Sequence, residues 1–331
     1  MPHSLKQIRV ALIGCGVIAK THLEAIKKVP SIELVMVCDP DEAAARAMAL
    51  SHPCCFSIDS KEVFQDSGID AVLICAPPAF HYDLTRQAML AGKHVLCEKP
   101  FTVSLRQALR IKKLSKKSNR LVEMASKFRF VPDVIQAKKF IESGAIGDVV
   151  MSEVIFCSIV NMKRRWNSNP KISGGGVLID NGSHAVDVIR YLVGPIKSVY
   201  AQVGRKTQKI PVEDTARLHF ETKKKVIGMV DLSWSLYKNT DIYVNVFGTK
   251  GTIEVGWTKS VIWNSQKKTS RVFGGGYRKL DAFVNQLRHF SDCIRKKAKP
   301  ILGIDDAVES VRAIDAAYTS IRESRWLEVN S

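Results

Sequence analysis

Hydrophobic positions follow two different rhythms along the chain. In the first part, residues 8–13, 33–38, 70–75 and 94–97 are short, nearly continuous apolar runs, the pattern of strands buried on both faces of a parallel sheet. Between and after them, residues 41–51, 81–91 and 105–118 carry a helical period. This alternation predicts βαβ units and a doubly wound α/β domain, closed by a short strand at 121–125. Beyond Gly147 the rhythm changes. Residues 149–160, 199–203 and 242–247 alternate apolar with polar, as strands with one covered face do. Gly248-Thr-Lys-Gly251 reads as a hairpin turn, Val131-Pro132 opens a helix through Glu142, and helical segments at 283–294 and 307–321 close the chain. The expected organisation is two domains, 1–126 and 127–331.

The first chemistry-bearing signal sits at the end of the first strand. Gly14-Cys-Gly16-Val-Ile-Ala19 places two glycines and a small residue where a tight bend, a backbone approach to a pyrophosphate and helix-on-strand packing each need one. The helix that follows would aim its unpaired N–H groups at the phosphates, with Val17 and Ile18 in its first turn. Asp39 ends the second strand 25 residues after Gly14, the place for an acid that meets ribose hydroxyls. No arginine adjoins it to receive a 2′-phosphate, so NAD is expected rather than NADP. Asp39 also suits a helix N-cap. Ala76 and Pro77, with His81 beyond them, follow the third strand. Glu98-Lys99-Pro100 follows the fourth, and both turns fall where a doubly wound sheet binds ligands. Pro100 restricts Lys99 to extended backbone, and a cis bond between them is left open.

A second signal begins at Gly174-Gly-Gly and delivers Asp180, His184 and Asp187 at spacings of four and three, neighbouring positions on one helical face. An acid, an imidazole and a second acid could thereby share one cleft. Within such an acid–base set His184, whose kind titrates near pH ~6.5, is the candidate base, Lys99 the candidate cation and Asp180 the candidate orienting acid. Lys99 as base is the competing assignment. Asp187 is read as a support. Asp180 as a mere helix cap, and the three residues as metal ligands, are weaker readings. No further His or Cys cluster at motif spacing completes a metal site, so no metal is expected.

Charge and cysteine usage adjust this picture. A net charge of +18 asks for an anionic partner, yet most basic runs are scattered and lack interleaved aromatics, so nucleic acid is not the expected one. Lys163-Arg164-Arg165-Trp166 differs, joining cations to an aromatic ahead of the glycine turn, a combination suited to a phosphate beside a ring. Arg129 is the candidate to contribute from the domain crossing. Eight cysteines without a Cys-x-x-Cys pair suit a reducing, cytoplasmic setting. No run approaches the ~20 apolar residues of a membrane helix.

Taken together, Gly14-x-Gly16-x-x-Ala19-x-x-His22, Ala76-Pro77-Pro78-x-x-His81, Glu98-Lys99-Pro100 and Gly174-Gly-Gly-x-x-x-Asp180-x-Gly182-x-His184-x-x-Asp187 resemble the Gfo/Idh/MocA oxidoreductases, in order and over nearly the full length. The resemblance implies an N-terminal Rossmann domain that binds NAD through Gly14, Gly16, Val17, Ile18, Asp39, Ala76, Pro77, His81 and Glu98. It also implies a C-terminal α/β domain with a large, mostly antiparallel open sheet, a homo-oligomer (dimer or tetramer), and Lys99, Asp180 and His184 as the catalytic set. The implied reaction is hydride transfer between a secondary alcohol of a sugar or cyclitol and the nicotinamide. By analogy with members in surface-polysaccharide pathways, the Lys163 to Trp166 cluster directs the expectation to a nucleotide-linked sugar, such as a UDP-N-acetylhexosamine oxidised at C3. Its contacts would come from Lys99, Arg129, Arg164, Arg165, Trp166, Asp180 and His184. A myo-inositol-like cyclitol or free hexose is the alternative, and an NAD-binding sensor without turnover is the non-enzymatic one.

Overall fold

The computed structural model describes residues 7–329, which group into two compact units. The first holds the chain up to Lys127 together with Lys279–Val308. Its strands β1 (Ile8–Ile13), β2 (Ile32–Cys38), β3 (Cys55–Ser57), β4 (Ala71–Ile74), β5 (His94–Glu98) and β6 (Val122–Ala125) form one sheet in the order β3-β2-β1-β4-β5-β6. Every neighbouring pair is parallel. The order reverses between β1 and β4, which opens a crevice outside the carboxyl ends of the strands. Helices α1 (Val17–Ile26), α2 (Glu42–Ser51), α3 (Ser60–Gln65), α4 (Pro78–Leu90) and α5 (Leu105–Ser115) connect them. Three of these start where the sequence supplies an N-cap oxygen: Asp41, Asp59 and Ser104 accept from the backbone N–H groups of Ala44, Lys61 and Gln107.

The second unit holds Phe128–Arg278 and the chain from Glu309. It contains α6 (Pro132–Glu142), β7 (Val149–Cys157), α7 (Pro170–Ser173), α8 (Val177–Val193), β8 (Ile196–Val203), β9 (Thr215–Thr222), β10 (Ile227–Ser233), β11 (Ile242–Gly248), β12 (Gly251–Gly256), β13 (Ser260–Asn264) and β14 (Thr269–Gly274). The chain then forms α9 (Lys279–Ile294), α10 (Ile304–Glu323) and β15 (Leu327–Glu328). Nine strands make a mixed sheet in the order β14-β13-β12-β11-β7-β10-β9-β8-β15. Only β7 and β10 run parallel; the other pairs are antiparallel. The hairpin read at Gly248-Thr-Lys-Gly251 joins β11 to β12, with Gly248 opposite Gly251. Along β7 the side chains of Ser152, Val154 and Phe156 are buried while their neighbours are half-buried. That period of two marks the face covered by α8, whose own residues are buried around most of the helix.

One segment departs from the contiguous division expected at residue 126. α9 belongs with the first unit, because Phe283, Val284, Leu287 and Phe290 enter the same core as Val10, Leu12, Leu23 and Ile26. A helical period announces an apolar face without naming the core that buries it. The strands β13 and β14 also escaped the alternation pattern, since β14 is an edge strand that exposes Thr269, Ser270, Arg271 and Val272. Among the described residues no helix is long and apolar enough to cross a membrane.

Candidate active site

In the first unit the cofactor turn is built almost wholly by backbone. Gly14 sits at φ +96°, and a Cβ there would lie 2.5 Å from the Ala76 backbone nitrogen, so the β1–α1 bend tolerates no side chain at this position. Gly16 is the N-cap of α1 without any side-chain capping bond, and a Cβ at Gly16 would meet nothing within 4 Å. The start of α1 is therefore uncrowded at Gly16, which is followed by Val17, 82% exposed, and half-buried Ile18. Asp39 is locked beside this turn: its Oδ2 accepts from the Cys15 N–H at 2.7 Å and its Oδ1 from the Asp41 N–H at 2.9 Å. The remaining lone pairs can accept from two ribose hydroxyls. An uncapped helix start, room for a diphosphate and an aligned carboxylate fit a dinucleotide.

The next strand ends add side chains. His81 is fully buried and bridges the two turns that follow β4 and β5, with Nδ1 2.7 Å from the Pro100 carbonyl and Nε2 2.7 Å from that of Ala76. Burial lowers its proton affinity, against the pull of the two carbonyl acceptors. Ala76 and Pro77 are half-buried at the mouth of this turn. Glu98 ends β5 and accepts from buried His22 at 2.9 Å and from the Lys99 N–H at 3.2 Å. Burial pushes the Glu98 carboxyl up, but the His22 hydrogen bond and charge, with Lys99 and Lys127, outweigh it and hold the group below its ordinary value. Lys99 follows, half-buried and joined to Pro100 by a cis peptide bond.

In the second unit the site is α8 and its supports. Gly176 is the N-cap, and a Cβ on it would lie 2.0 Å from the Glu213 carbonyl oxygen, so only glycine lets the loop before β9 seal the helix. Glu213 does this completely: its Oε1 accepts from the N–H groups of Gly176 (3.0 Å) and Leu178 (3.1 Å) and from the Tyr318 hydroxyl (2.7 Å). Its carbonyl accepts from Val177 N–H at 2.9 Å. An anion at a helix start is favourable. One and two turns on, Asp180 and His184 share a face and are both half-buried. The His184 ring meets Phe128 edge-on at 5.1 Å, at the border of an aromatic group of Phe128, Phe156, Tyr243, Trp257 and Tyr277.

Asp187 leaves that company. It is 1% exposed and binds the Arg129 guanidinium through Nε and Nη2 at 2.8–3.1 Å. Arg129, itself 3% exposed, is thus engaged inside the unit, where a buried acid holds the cation that the sequence left without a partner. The same pair removes Asp187 from the metal-ligand reading of the α8 cluster. Lys163, Arg164, Arg165 and Trp166 lie on the connection from β7 to α7, all exposed, with Arg164 in the left-handed region at φ 62°.

The N-terminal part matches the model of an oxidoreductase family NAD-binding Rossmann fold over residues 8–126, and residues 138–329 match that family's C-terminal alpha/beta domain. The chain belongs to the Gfo/Idh/MocA oxidoreductase family. It is an NAD-dependent oxidoreductase of that family. It is 28% identical to the scyllo-inositol 2-dehydrogenase (NAD(+)) of Bacillus subtilis, covering 98% of this chain and 97% of that one. It is 27% identical to the myo-inositol 2-dehydrogenase of Thermotoga maritima, covering 97% and 98%. Among solved structures, levoglucosan dehydrogenase in complex with NADH superposes with a TM-score of 0.92 at 20% identity, over 98% of this chain and all of that one. At that identity the likeness is one of fold.

Several functional supports were invisible to spacing. Glu213 lies 37 positions from Gly176 and Tyr318 another 105 beyond Glu213, and neither belongs to a local motif. His22 was noted only as part of a motif, and its partner Glu98 is 76 positions away. Glycines at 175 and 176 were a usable hint, since three in a row ahead of a helix imply something pressed against them.

Proposed function

We propose that the protein oxidises a secondary hydroxyl of a cyclitol or unactivated sugar, or reduces the corresponding ketone. Asp180 and His184 would bind the reacting carbinol and Lys99 would hold its oxygen. The observation that carries this reading is the half-buried Asp180–His184 pair on a capped helix beside a cluster of rings, in a chain that also carries an NAD turn. Aromatic faces suit the C–H faces of a polyol ring, and a few polar groups fix its hydroxyls. The named activities of the inositol dehydrogenases support the same substrate class.

The residue roles follow from the chemistry of the carbinol. His184 takes the hydroxyl proton, and the Lys99 ammonium stabilises the negative charge that grows on the oxygen. Asp180 orients the substrate or the imidazole. A bound NAD would supply the acceptor for the hydride of the carbinol carbon. Glu213 and Tyr318 fix the start of α8, so the imidazole and carboxylate arrive already oriented. Phe128 limits the swing of the His184 ring.

A nucleotide-linked sugar is the second reading, favoured by the exposed Lys163 to Trp166 segment. The free polyol ranks first because it requires no diphosphate ligand, and Arg129 is engaged elsewhere. The test is a titration of NAD-loaded protein with UDP, beside NADH production from myo-inositol, scyllo-inositol and UDP-N-acetylhexosamines. NADH from a free polyol without UDP binding supports the first reading; turnover confined to the UDP-sugar, with UDP as competitor, overturns it. Association through the open face of the nine-stranded sheet fits the exposure of Ile227 (56%), Trp263 (41%) and Val272 (59%). Light scattering should return a dimer or tetramer that Ile227→Lys weakens.

A further inference from the structure

Away from the cofactor turn, the first unit gathers three metal-ligating side chains that the oxidoreductase reaction does not use. Glu123 is on β6, the edge strand of the parallel sheet. It is 1% exposed, and its Oε1 has no hydrogen-bond partner. His289 and Cys293 are four apart on α9 and so share a face, with Nε2 3.3 Å from Sγ. One carboxylate oxygen, one imidazole nitrogen and Sγ all lie within 4.8 Å of one another. One turn earlier the helix carries Gln286, also 1% exposed, whose amide oxygen and nitrogen both lack partners.

Buried polar atoms without partners are rare, and each one calls for an explanation such as an ion or a water. Keeping the Glu123 carboxyl protonated does not supply one, because the O–H it gains is a donor that itself needs an acceptor. A cation held jointly by the three side chains satisfies the carboxylate directly. The donor set selects the ion. Magnesium and calcium prefer oxygen ligands throughout, and iron–sulfur clusters need several thiolates. One thiolate, one imidazole and one carboxylate suit a borderline divalent ion of the zinc kind. Metal–ligand bonds of about 2.0–2.3 Å put tetrahedral ligands roughly 3.5 Å apart. The His289–Cys293 pair already stands at that spacing, and the widest separation needs to close by about 1 Å, within reach of side-chain rotation.

We propose that Glu123, His289 and Cys293 form a binding site for a zinc-type divalent transition metal that ties α9 to β6, with solvent as the fourth ligand. The ion takes the Nε2 lone pair that now accepts the Ile301 N–H at 3.1 Å. Metal binding therefore displaces that hydrogen bond while it stabilises the unit by linkage.

The test uses the full-length protein, treated with chelator and then titrated with cobalt(II) as a spectroscopic probe and with zinc(II). Expected are binding of close to one equivalent, a thiolate-to-cobalt charge-transfer band and a higher melting temperature with zinc. Cys293→Ser should abolish the band, and His289→Ala and Glu123→Gln should each weaken binding by at least about tenfold, the loss that even outer-sphere partners cause. Absence of the band, its survival in Cys293→Ser, or affinity unchanged in both His289→Ala and Glu123→Gln would overturn the proposal. Circular dichroism of each variant separates loss of the site from loss of the fold.

Discussion

The cofactor turn of the first unit and the α8 site of the second unit are assembled in opposite ways. Around Gly14 and Gly16 the working groups are backbone N–H groups, and Asp39 is held by two amides within reach of the same turn. Around Asp180 and His184 the working groups are side chains. Their supports come from far along the chain: Glu213 and Tyr318 at the helix start, Phe128 against the ring, Arg129 on Asp187. A backbone site depends on glycines being absent of side chain; a side-chain site depends on remote partners being present. The two regions should therefore fail differently under mutation.

The largest expected effect lies at His184. His184→Ala should lower kcat by about 10²–10⁴, the usual contribution of a positioned acid–base group. NAD affinity should stay within about twofold, since the cofactor turn uses no α8 residue. Steady-state kinetics beside NAD titration checks both, and parallel loss of NAD affinity would erase the contrast between the regions.

Arg129→Met strips Asp187 of the guanidinium that binds it and leaves a buried charge, at a cost of about 3–5 kcal/mol in stability. Denaturant unfolding measures it, and Arg129→Met with Asp187→Leu should recover most of the loss. A marginal effect of the single substitution would mean that the second unit does not depend on this support.

In the first unit, Glu98→Gln should cost roughly 1.5–3 kcal/mol, the worth of a hydrogen bond to a charged group. Its sign with pH is fixed by the depressed carboxyl: the folded value lies below the ordinary one. The stabilisation is complete above pH ~4.3 and disappears as acid carries the solution down through the folded value. Melting curves of wild type and Glu98→Gln should therefore differ at neutral pH and converge in acid. A gap that widened in acid would reverse the assignment.

Smallest is Tyr318→Phe, which removes one of three hydrogen bonds to Glu213 Oε1 and should cost about 1 kcal/mol. If α8 positioning matters to turnover, kcat falls several-fold while NAD affinity is untouched; a change in stability alone would make Tyr318 a structural residue only.

The same contrast explains what could be read from the chain. The parallel sheet and the glycine turn after its first strand were legible because each is encoded within a few residues, by apolar runs and by glycines whose positions backbone geometry dictates. The hairpin at Gly248–Gly251 was legible for the same reason. The partner of Arg129 was not legible, because the acid that binds it lies 58 positions on and only the fold brings it there. That α9 packs into the core of the first unit was not legible, since its apolar stripe fits either core by period alone. Glu123, His289 and Cys293 escaped notice because spacing cannot pair β6 with a helix more than 150 residues away.

We propose that Lys99 and His184 serve the same hydride-transfer step. A double-mutant cycle of Lys99→Met and His184→Ala on the hydride-transfer rate, read as NADH formation in a single turnover, tests it most directly. The double variant should be little slower than the slower single variant, because groups that work as a unit lose their function once. Losses that multiply would mean the two residues act independently and would contradict it.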